Sequence, residues 1–143
     1  MRVLILYESR RGFTLTVARA VRDELRTLGL EATASPLRGT DPGTLAAADA
    51  LVVGTWVKGL IVAGVGPADG TQEGVRALPP LAGKPAIVFC TCGVSPRGTL
   101  DTLSAWLEAR GADVRGRIVF RRKKSLAKAP AAAAAIADAF GAG

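Results

Sequence analysis

The sequence contains no histidine and only two cysteines, Cys90 and Cys92. Without histidine the chain cannot build a Ser-His-Asp or Cys-His nucleophilic site, a histidine zinc site or an imidazole general base. Two cysteines do not form a disulfide framework, and a metal site would need further soft ligands. We therefore assign no catalytic residue and no metal ligand, and we expect any chemistry to come from a bound group.

Long apolar runs are also missing. The most apolar N-terminal run, 3–7, is far shorter than the roughly 20 residues of a membrane span and too short for the core of a signal peptide. Because hydrophobic residues nevertheless make up 49% of the chain, we expect a well-formed core. The prediction is a single domain over residues 1–143, located in the cytoplasm and without a membrane span.

Acidic residues are outnumbered by basic ones, 12 to 19, which gives a formal net charge of +7. This balance favours a phosphate-bearing ligand, an acidic protein or nucleic acid as a partner, although a basic surface also serves solubility alone. Aromatic residues are only 5%, so base stacking has little support and we expect no nucleic acid partner. The basic run 121–124 could dock an acidic partner or form a solvated turn.

Strand and helix patterns alternate along the chain. They predict strands at 3–7, 30–35, 50–55, 85–91 and 117–120, and helices at 13–28, 42–48, 71–78, 99–110 and from Pro130 to Gly141. The glycine-rich stretch 56–70 has little periodicity. Five strands with intervening helices predict an α/β three-layer sandwich around a five-stranded parallel sheet. Ligands bind such sheets at the carboxyl ends of the strands, here segments 8–14, 55–70 and 91–98.

The segment between the first strand and first helix carries an anion-friendly pattern. Ser9 and Thr14 bracket Gly12, and backbone N–H groups at a helix start attract anions. The alternative is an ordinary helix N-cap, for which serine and threonine are common. Other phosphate motifs fail, since no G-x-x-x-x-G-K-[ST] occurs and the glycines of 64–70 have the wrong spacing for a dinucleotide fingerprint.

The stretch from Ile5 to Thr14, continuing to Ala18 and Val21, resembles the signature at the start of flavodoxins. The resemblance implies a flavodoxin-like fold with strand order 2-1-3-4-5, in which the first loop wraps the phosphate of FMN. It also implies two loops beside the flavin ring, one after the third strand and one after the fourth. The implied cofactor-binding residues are Ser9, Arg10, Arg11, Gly12, Phe13, Thr14, Thr55, Trp56, Val57, Lys58, Gly59, Thr91, Cys92, Gly93 and Arg97.

Two aromatic residues and the cysteine pair have more than one interpretation. Trp56 could stack on the flavin or be an exposed loop aromatic, while Trp106 fits the core side of a helix. Cys90 and Cys92 could form a redox thiol pair, but we interpret them as small apolar residues at a strand end, with Cys92 near the flavin edge. The chain departs from flavodoxins in its basic charge and in the two arginines of its first loop.

The resemblance implies an FMN-binding, monomeric electron carrier that exchanges electrons with redox partner proteins, an acidic partner being one candidate. One alternative is an FMN-dependent oxidoreductase of the quinone or protoporphyrinogen type. Another is a binding module that keeps the flavodoxin fold without a cofactor.

Overall fold

Parallel strands and helices alternate in the structure, a computed structural model that describes residues 1–10, 12–60, 63–93, 95–122 and 125–141. The strands are β1 (Arg2–Glu8), β2 (Glu31–Pro36), β3 (Ala50–Leu60), β4 (Ala63–Pro67), β5 (Pro85–Cys92) and β6 (Asp113–Arg121). The helices are α1 (Phe13–Thr27), α2 (Pro42–Ala47), α3 (Thr71–Arg76), α4 (Thr99–Ala109) and α5 (Ser125–Ala139). The alternation predicted from the sequence is therefore confirmed.

The five parallel strands are arranged in the order β2-β1-β3-β5-β6. If β4 is left out, this is the predicted order 2-1-3-4-5. β1 pairs with β2 on one side and with β3 on the other, so the chain reverses its direction of winding between β1 and β3. This reversal creates a switch point at the carboxyl ends of β1 and β3, where α/β sheets bind ligands.

The core is divided into two layers by the sheet. Val3 and Ile5 of β1 face one layer, which α1 and α5 cover, whereas Leu4 and Leu6 face the other, which α2, α3 and α4 cover. Because both faces of β1 are buried, its residues are apolar without alternation, as expected for a parallel strand. The exposed fractions of these four side chains are 2% or less. Trp106 packs half-buried against the second layer.

The stretch 56–70 differs from the prediction. β3 continues past Thr55 and folds back on β4 as an antiparallel arm, in which Val57 pairs with Pro67 and Lys58 with Gly66. The glycines obscured the alternation in the sequence, and the arm includes an irregularity in register between Lys58 and Leu60. The chain therefore has a sixth strand beside the switch point.

The last helix also begins earlier than predicted. α5 starts at Ser125, so Pro130 lies inside it rather than in its first turn. A proline inside a helix removes one backbone hydrogen bond, at a cost of roughly 3 kcal/mol. The pyrrolidine ring is exposed, and the alanine-rich helix buries Ala133 and Ile136 against the first core layer. Strong helix propensity and this burial offset the cost. In the described residues, no helix is long and apolar enough to cross a membrane.

Candidate functional site

A cavity of about 240 Å³ opens at the switch point, and we call it the switch-point cavity. Three segments predicted from the sequence meet there, together with one arginine from the end of β6. Its lining residues are Arg10, Phe13, Thr14, Trp56, Val57, Thr91, Cys92, Gly93 and Arg122. The carboxyl ends of parallel strands lie at one edge of a sheet, which is why residues up to 112 positions apart in sequence come together here.

The start of α1 is held to β5 by a buried pair of hydroxyl groups. The Oγ1 atoms of Thr14 and Thr91 lie 2.8 Å apart, and the two residues are 1% and 3% exposed. Each hydroxyl has one proton, and a single hydrogen bond between them consumes only one. The other proton can be donated to a ligand in the cavity, which both residues line.

Helix α1 begins directly after Gly12, whose φ of 84° is in the left-handed region. This conformation suits glycine because it has no Cβ. Gly12 provides no side-chain cap, and the first turn of α1 has no acidic residue. The Ser9 hydroxyl accepts a hydrogen bond from the Leu15 N–H at 3.3 Å. Ser9 therefore pairs one of the free N–H groups in the first turn of α1, as a helix-capping residue does. The first turn of α1 is therefore an electropositive end without a carboxylate.

Ser9 and Gly12 line a second cavity rather than the first. This second cavity has a volume of about 390 Å³, and we call it the loop cavity. Its lining residues are Tyr7, Glu8, Ser9, Gly12, Leu15, Pro36 and Arg38. The predicted phosphate residues are thus divided between two neighbouring cavities, and Arg11 lies outside the described residues.

Trp56 is half-buried and contacts an arginine of the first loop. The guanidinium carbon of Arg10 lies 5.5 Å from the centre of the indole ring, within the range of a cation–π interaction. The arginine that the sequence placed beside the phosphate therefore reaches across to the second loop. Because both side chains line the switch-point cavity, positive charge lies next to its aromatic wall.

Thr55 does not line the switch-point cavity. Its side chain is fully buried, and its hydroxyl donates to the Trp56 carbonyl at 2.9 Å. It also accepts from the Ala68 N–H at 3.1 Å and lies 3.1 Å from the Thr71 hydroxyl. Thr55 therefore joins β3 to the start of α3 and supports Trp56 from behind.

Lys58 is not among the residues that line the switch-point cavity. Its ammonium group donates to Asp69 at 2.5 Å, and this bond together with the lysine charge lowers the pKa of the Asp69 carboxyl. Arg10 contributes a smaller lowering. Gly59 lies one residue farther along the arm of β3. The arm is therefore tied to the loop before α3 by an exposed ion pair.

The two cysteines lie at the end of β5 and are free thiols. Cys90 is in the core, and burial raises the pKa of its thiol to about 12, with a further contribution from Cys92. Burial also raises the pKa of Cys92, which lines the switch-point cavity. Both thiols are thus protonated and poorly nucleophilic at neutral pH. In the described residues, no three His, Cys, Asp or Glu side chains are grouped as a metal site would require.

Arg97 is exposed and is not among the residues that line the switch-point cavity. Its φ of 45° is unusual for a residue other than glycine, and its N–H donates to the Ser95 hydroxyl at 3.3 Å. Sequence reasoning missed Arg122, which the basic run 121–124 contained and which follows the carboxyl end of β6. It also missed the pairing of Glu8 with Arg38, because no sequence motif links these two positions.

The electrostatics of the switch-point cavity are one-sided. Arg10 and Arg122 line it, and no aspartate or glutamate does so among the described residues. Threonine hydroxyls, an indole ring and two guanidinium groups suit a planar aromatic ligand that carries acceptor atoms or negative charge.

No protein-family model matches this sequence, and no curated protein matches it significantly. Solved structures do resemble it. A cysteine-to-serine mutant of the flavodoxin from Pseudomonas aeruginosa has 23% identity and a TM-score of 0.78, with 99% of each chain covered. Two-electron-reduced Megasphaera elsdenii flavodoxin has 22% identity and a TM-score of 0.75, covering 92% of this chain and 98% of its own. A flavodoxin from the domain Archaea has 19% identity and a TM-score of 0.74, again with 99% of each chain covered. The fold of this chain is flavodoxin-like.

Proposed function

We propose that this chain binds FMN non-covalently, with the flavin ring in the switch-point cavity and the phosphate at the start of α1, and carries electrons between a reductase and an acceptor protein. The observation that supports this best is that the three segments predicted from the sequence to bind a ligand meet at one cavity, at the carboxyl edge of the sheet. The flavodoxin-like fold agrees with the proposal, since its solved neighbours include several flavodoxins.

The residues present fit the chemistry of FMN. Trp56 offers an aromatic face to the ring, and the Thr14–Thr91 pair offers one hydroxyl proton to a ring acceptor. The start of α1, with Gly12 and Ser9, offers backbone N–H groups and a hydroxyl to the phosphate. When bound, the flavin supplies the one- and two-electron chemistry that the side chains of this chain cannot supply.

A titration of FMN fluorescence tests the proposal. We expect the parent chain to quench FMN fluorescence saturably and to show flavin absorbance after purification with FMN. Trp56→Leu should weaken binding at least about tenfold because it removes the stacking face. Trp106→Leu is the matched control, since Trp106 lies against the second core layer and should leave the affinity within about twofold.

Other results would support the alternative functions. Steady turnover of NAD(P)H with a quinone would show an FMN-dependent oxidoreductase, whereas an absence of FMN binding would indicate a cofactor-free module. If Trp56→Leu binds FMN as well as the parent chain does, the switch-point cavity is not the flavin site.

We further propose that the electron-transfer partner presents an acidic surface. Arg10 and Arg122 are exposed and line the cavity, Arg97 is exposed in the segment after β5, and the whole chain carries a net charge of +7. A positive rim increases the rate of encounter with negative partners, and salt suppresses this effect. The free thiols agree with a cytoplasmic location, and we propose a monomer.

Small electron acceptors of opposite charge measure the field at this rim. The reduced holoprotein should reduce ferricyanide more slowly as ionic strength rises, whereas its reaction with hexaammineruthenium(III) should become faster. Arg122→Gln should weaken both dependences, and Arg115→Gln, which removes an equal charge near the start of β6, should change them much less. Equal salt effects in the two variants would contradict a localised rim.

A further inference from the structure

Glu8 is a buried carboxylate at the last position of β1, directly before the first loop. The residue is 7% exposed, and it lines the loop cavity together with Ser9 and Gly12. Glutamate is rarely buried without a partner, because removing its charge from water is costly. An uncompensated carboxylate at this position would also repel an anion bound by the first loop.

Arg38 supplies the compensating charge through two nitrogen atoms along one edge of its guanidinium group. Its Nη2 donates to Oε1 of Glu8 at 2.7 Å, and its Nε donates to Oε2 at 3.2 Å. Such two-point contacts fix the relative orientation of arginine and carboxylate. The arginine side chain is 62% exposed, while that of Glu8 is 8% exposed, so the pair lies at the boundary between the loop cavity and solvent.

The position of Arg38 is itself fixed by its neighbours. The preceding residue, Leu37, is 1% exposed, and its N–H donates to the Tyr7 carbonyl at 2.8 Å. The guanidinium group also packs close to Gly70, where a Cβ would lie 3.2 Å from the Arg38 guanidinium carbon. The arginine is thus held between the end of β1 and the loop before α3.

We propose that Arg38 is a positioning residue for the phosphate of the flavin, acting through Glu8. By neutralising this carboxylate, Arg38 makes the first loop electrically compatible with a phosphate dianion. The inference rests on the proposed FMN function and extends it, since it assigns phosphate selectivity to a pair that is not among the cofactor-binding residues implied by the resemblance to flavodoxins. It predicts that Arg38 affects FMN, which carries the phosphate, and spares riboflavin, which lacks it.

The test is a set of fluorescence titrations with FMN and riboflavin. Arg38→Gln should lower the affinity for FMN about tenfold, because it leaves one uncompensated charge near the phosphate, and should leave riboflavin within about twofold. Glu8→Gln should raise the ratio of FMN to riboflavin affinity. The double variant Glu8→Gln/Arg38→Gln should restore this ratio to within about threefold of the parent value. Arg115→Gln, which also breaks an arginine–carboxylate pair, should leave the ratio unchanged.

The possible results separate the two proposals. If the parent chain binds neither flavin, the proposed function fails, and this inference fails with it. If the parent chain binds FMN but Arg38→Gln weakens both flavins equally or neither, only this inference is overturned. Failure of the double variant to restore the ratio also overturns it. Because Glu8→Gln retains the arginine, that variant keeps the test decisive even if Arg38→Gln does not fold.

Discussion

Thr55 offers the sharpest test of how the switch-point cavity is supported. The resemblance to flavodoxins suggested that it contacts the cofactor, yet its hydroxyl is fully buried behind Trp56. There it accepts a hydrogen bond from the Ala68 N–H and donates one to the Trp56 carbonyl. It also lies 3.1 Å from the Thr71 hydroxyl. Thr55→Val removes these hydrogen bonds while keeping nearly the same side-chain shape. We therefore expect the substitution to lower the free energy of unfolding directly. We expect it to weaken ligand binding only indirectly, by displacing Trp56.

The size of the effect follows from the groups left without a partner. Ala68 is 3% exposed, so its N–H has little access to water, and leaving a buried donor unpaired costs about 1 to 3 kcal/mol. The Thr71 hydroxyl loses its neighbour but can rotate, which limits its share. We expect the free energy of unfolding to fall by about 2 to 3 kcal/mol in total. For a chain of this length, this corresponds to a decrease in Tm of roughly 6 to 9 °C.

Thr99→Val is the matched control for this prediction. Thr99 is also fully buried, but its hydroxyl has no hydrogen-bond partner among the described residues. Removing that hydroxyl should therefore be neutral or stabilise the protein by up to about 1 kcal/mol. Urea unfolding of both variants, followed by circular dichroism, gives the comparison. A Thr55→Val chain within about 0.5 kcal/mol of the parent, or equal losses at the two positions, would refute the assigned role.

Three further predictions concern backbone space, thiol ionisation and cavity charge. Gly54→Ala should destabilise the chain by about 3 kcal/mol or more in urea unfolding, because the added Cβ would overlap the buried ring of Phe89. Gly66→Ala is the control, since a Cβ there would have no atom within 4 Å, and its stability should stay within about 0.5 kcal/mol of the parent value. The pKa of Cys90 rises from 9.0 to about 12 on folding, so the unfolded chain loses this proton first. Between pH 9.0 and about 12, the free energy of unfolding should then fall by about 1.4 kcal/mol per pH unit. Cys90→Ala should make this decrease shallower. Arg10→Gln and Arg122→Gln should each lower the midpoint potential of bound FMN by about 20 to 40 mV in a spectroelectrochemical titration, since each removes a partly screened cation from the cavity; an unchanged potential would contradict this.

The sheet was predictable because its strands have a simple pattern. Continuous apolar runs such as Val3–Leu6 and Ala86–Cys90 are typical of strands buried on both faces, and the structure places both between helical layers. Once the order of the strands was known, the edge of the sheet that binds ligands followed from the topology. For the same reason, Trp56, Thr91 and Cys92 could be expected near one another despite their separation in sequence.

The arm formed by β3 and β4 and the start of α5 were not predictable in the same way. Glycines separate the β-branched residues of the arm, so local propensity did not indicate a strand. Proline usually stands in the first turn of a helix, but at Pro130 the burial of Ala133 and Ile136 outweighs this preference. In both places, tertiary contacts decided a structure that the local sequence left open.

Side-chain direction was the other quantity that the sequence did not contain. Arg10 belongs to the predicted phosphate loop, yet its guanidinium group lies over Trp56. Arg38 belongs to no predicted site, yet it forms the ion pair next to Ser9. An arginine side chain is long and can point in many directions, so the groups that it contacts depend on the fold.

The arginines that line the two cavities differ in whether a carboxylate neutralises them. At the loop cavity, the positive charge of Arg38 is matched by the negative charge of Glu8. At the switch-point cavity, Arg10 and Arg122 have no carboxylate among the described lining residues, so this end keeps surplus positive charge. Changes at Arg38 should therefore alter the preference for FMN over riboflavin, and changes at Arg122 should alter the potential and the salt dependence of electron transfer. Because the two sets of charges line different cavities, each property should respond to its own arginine with little effect on the other.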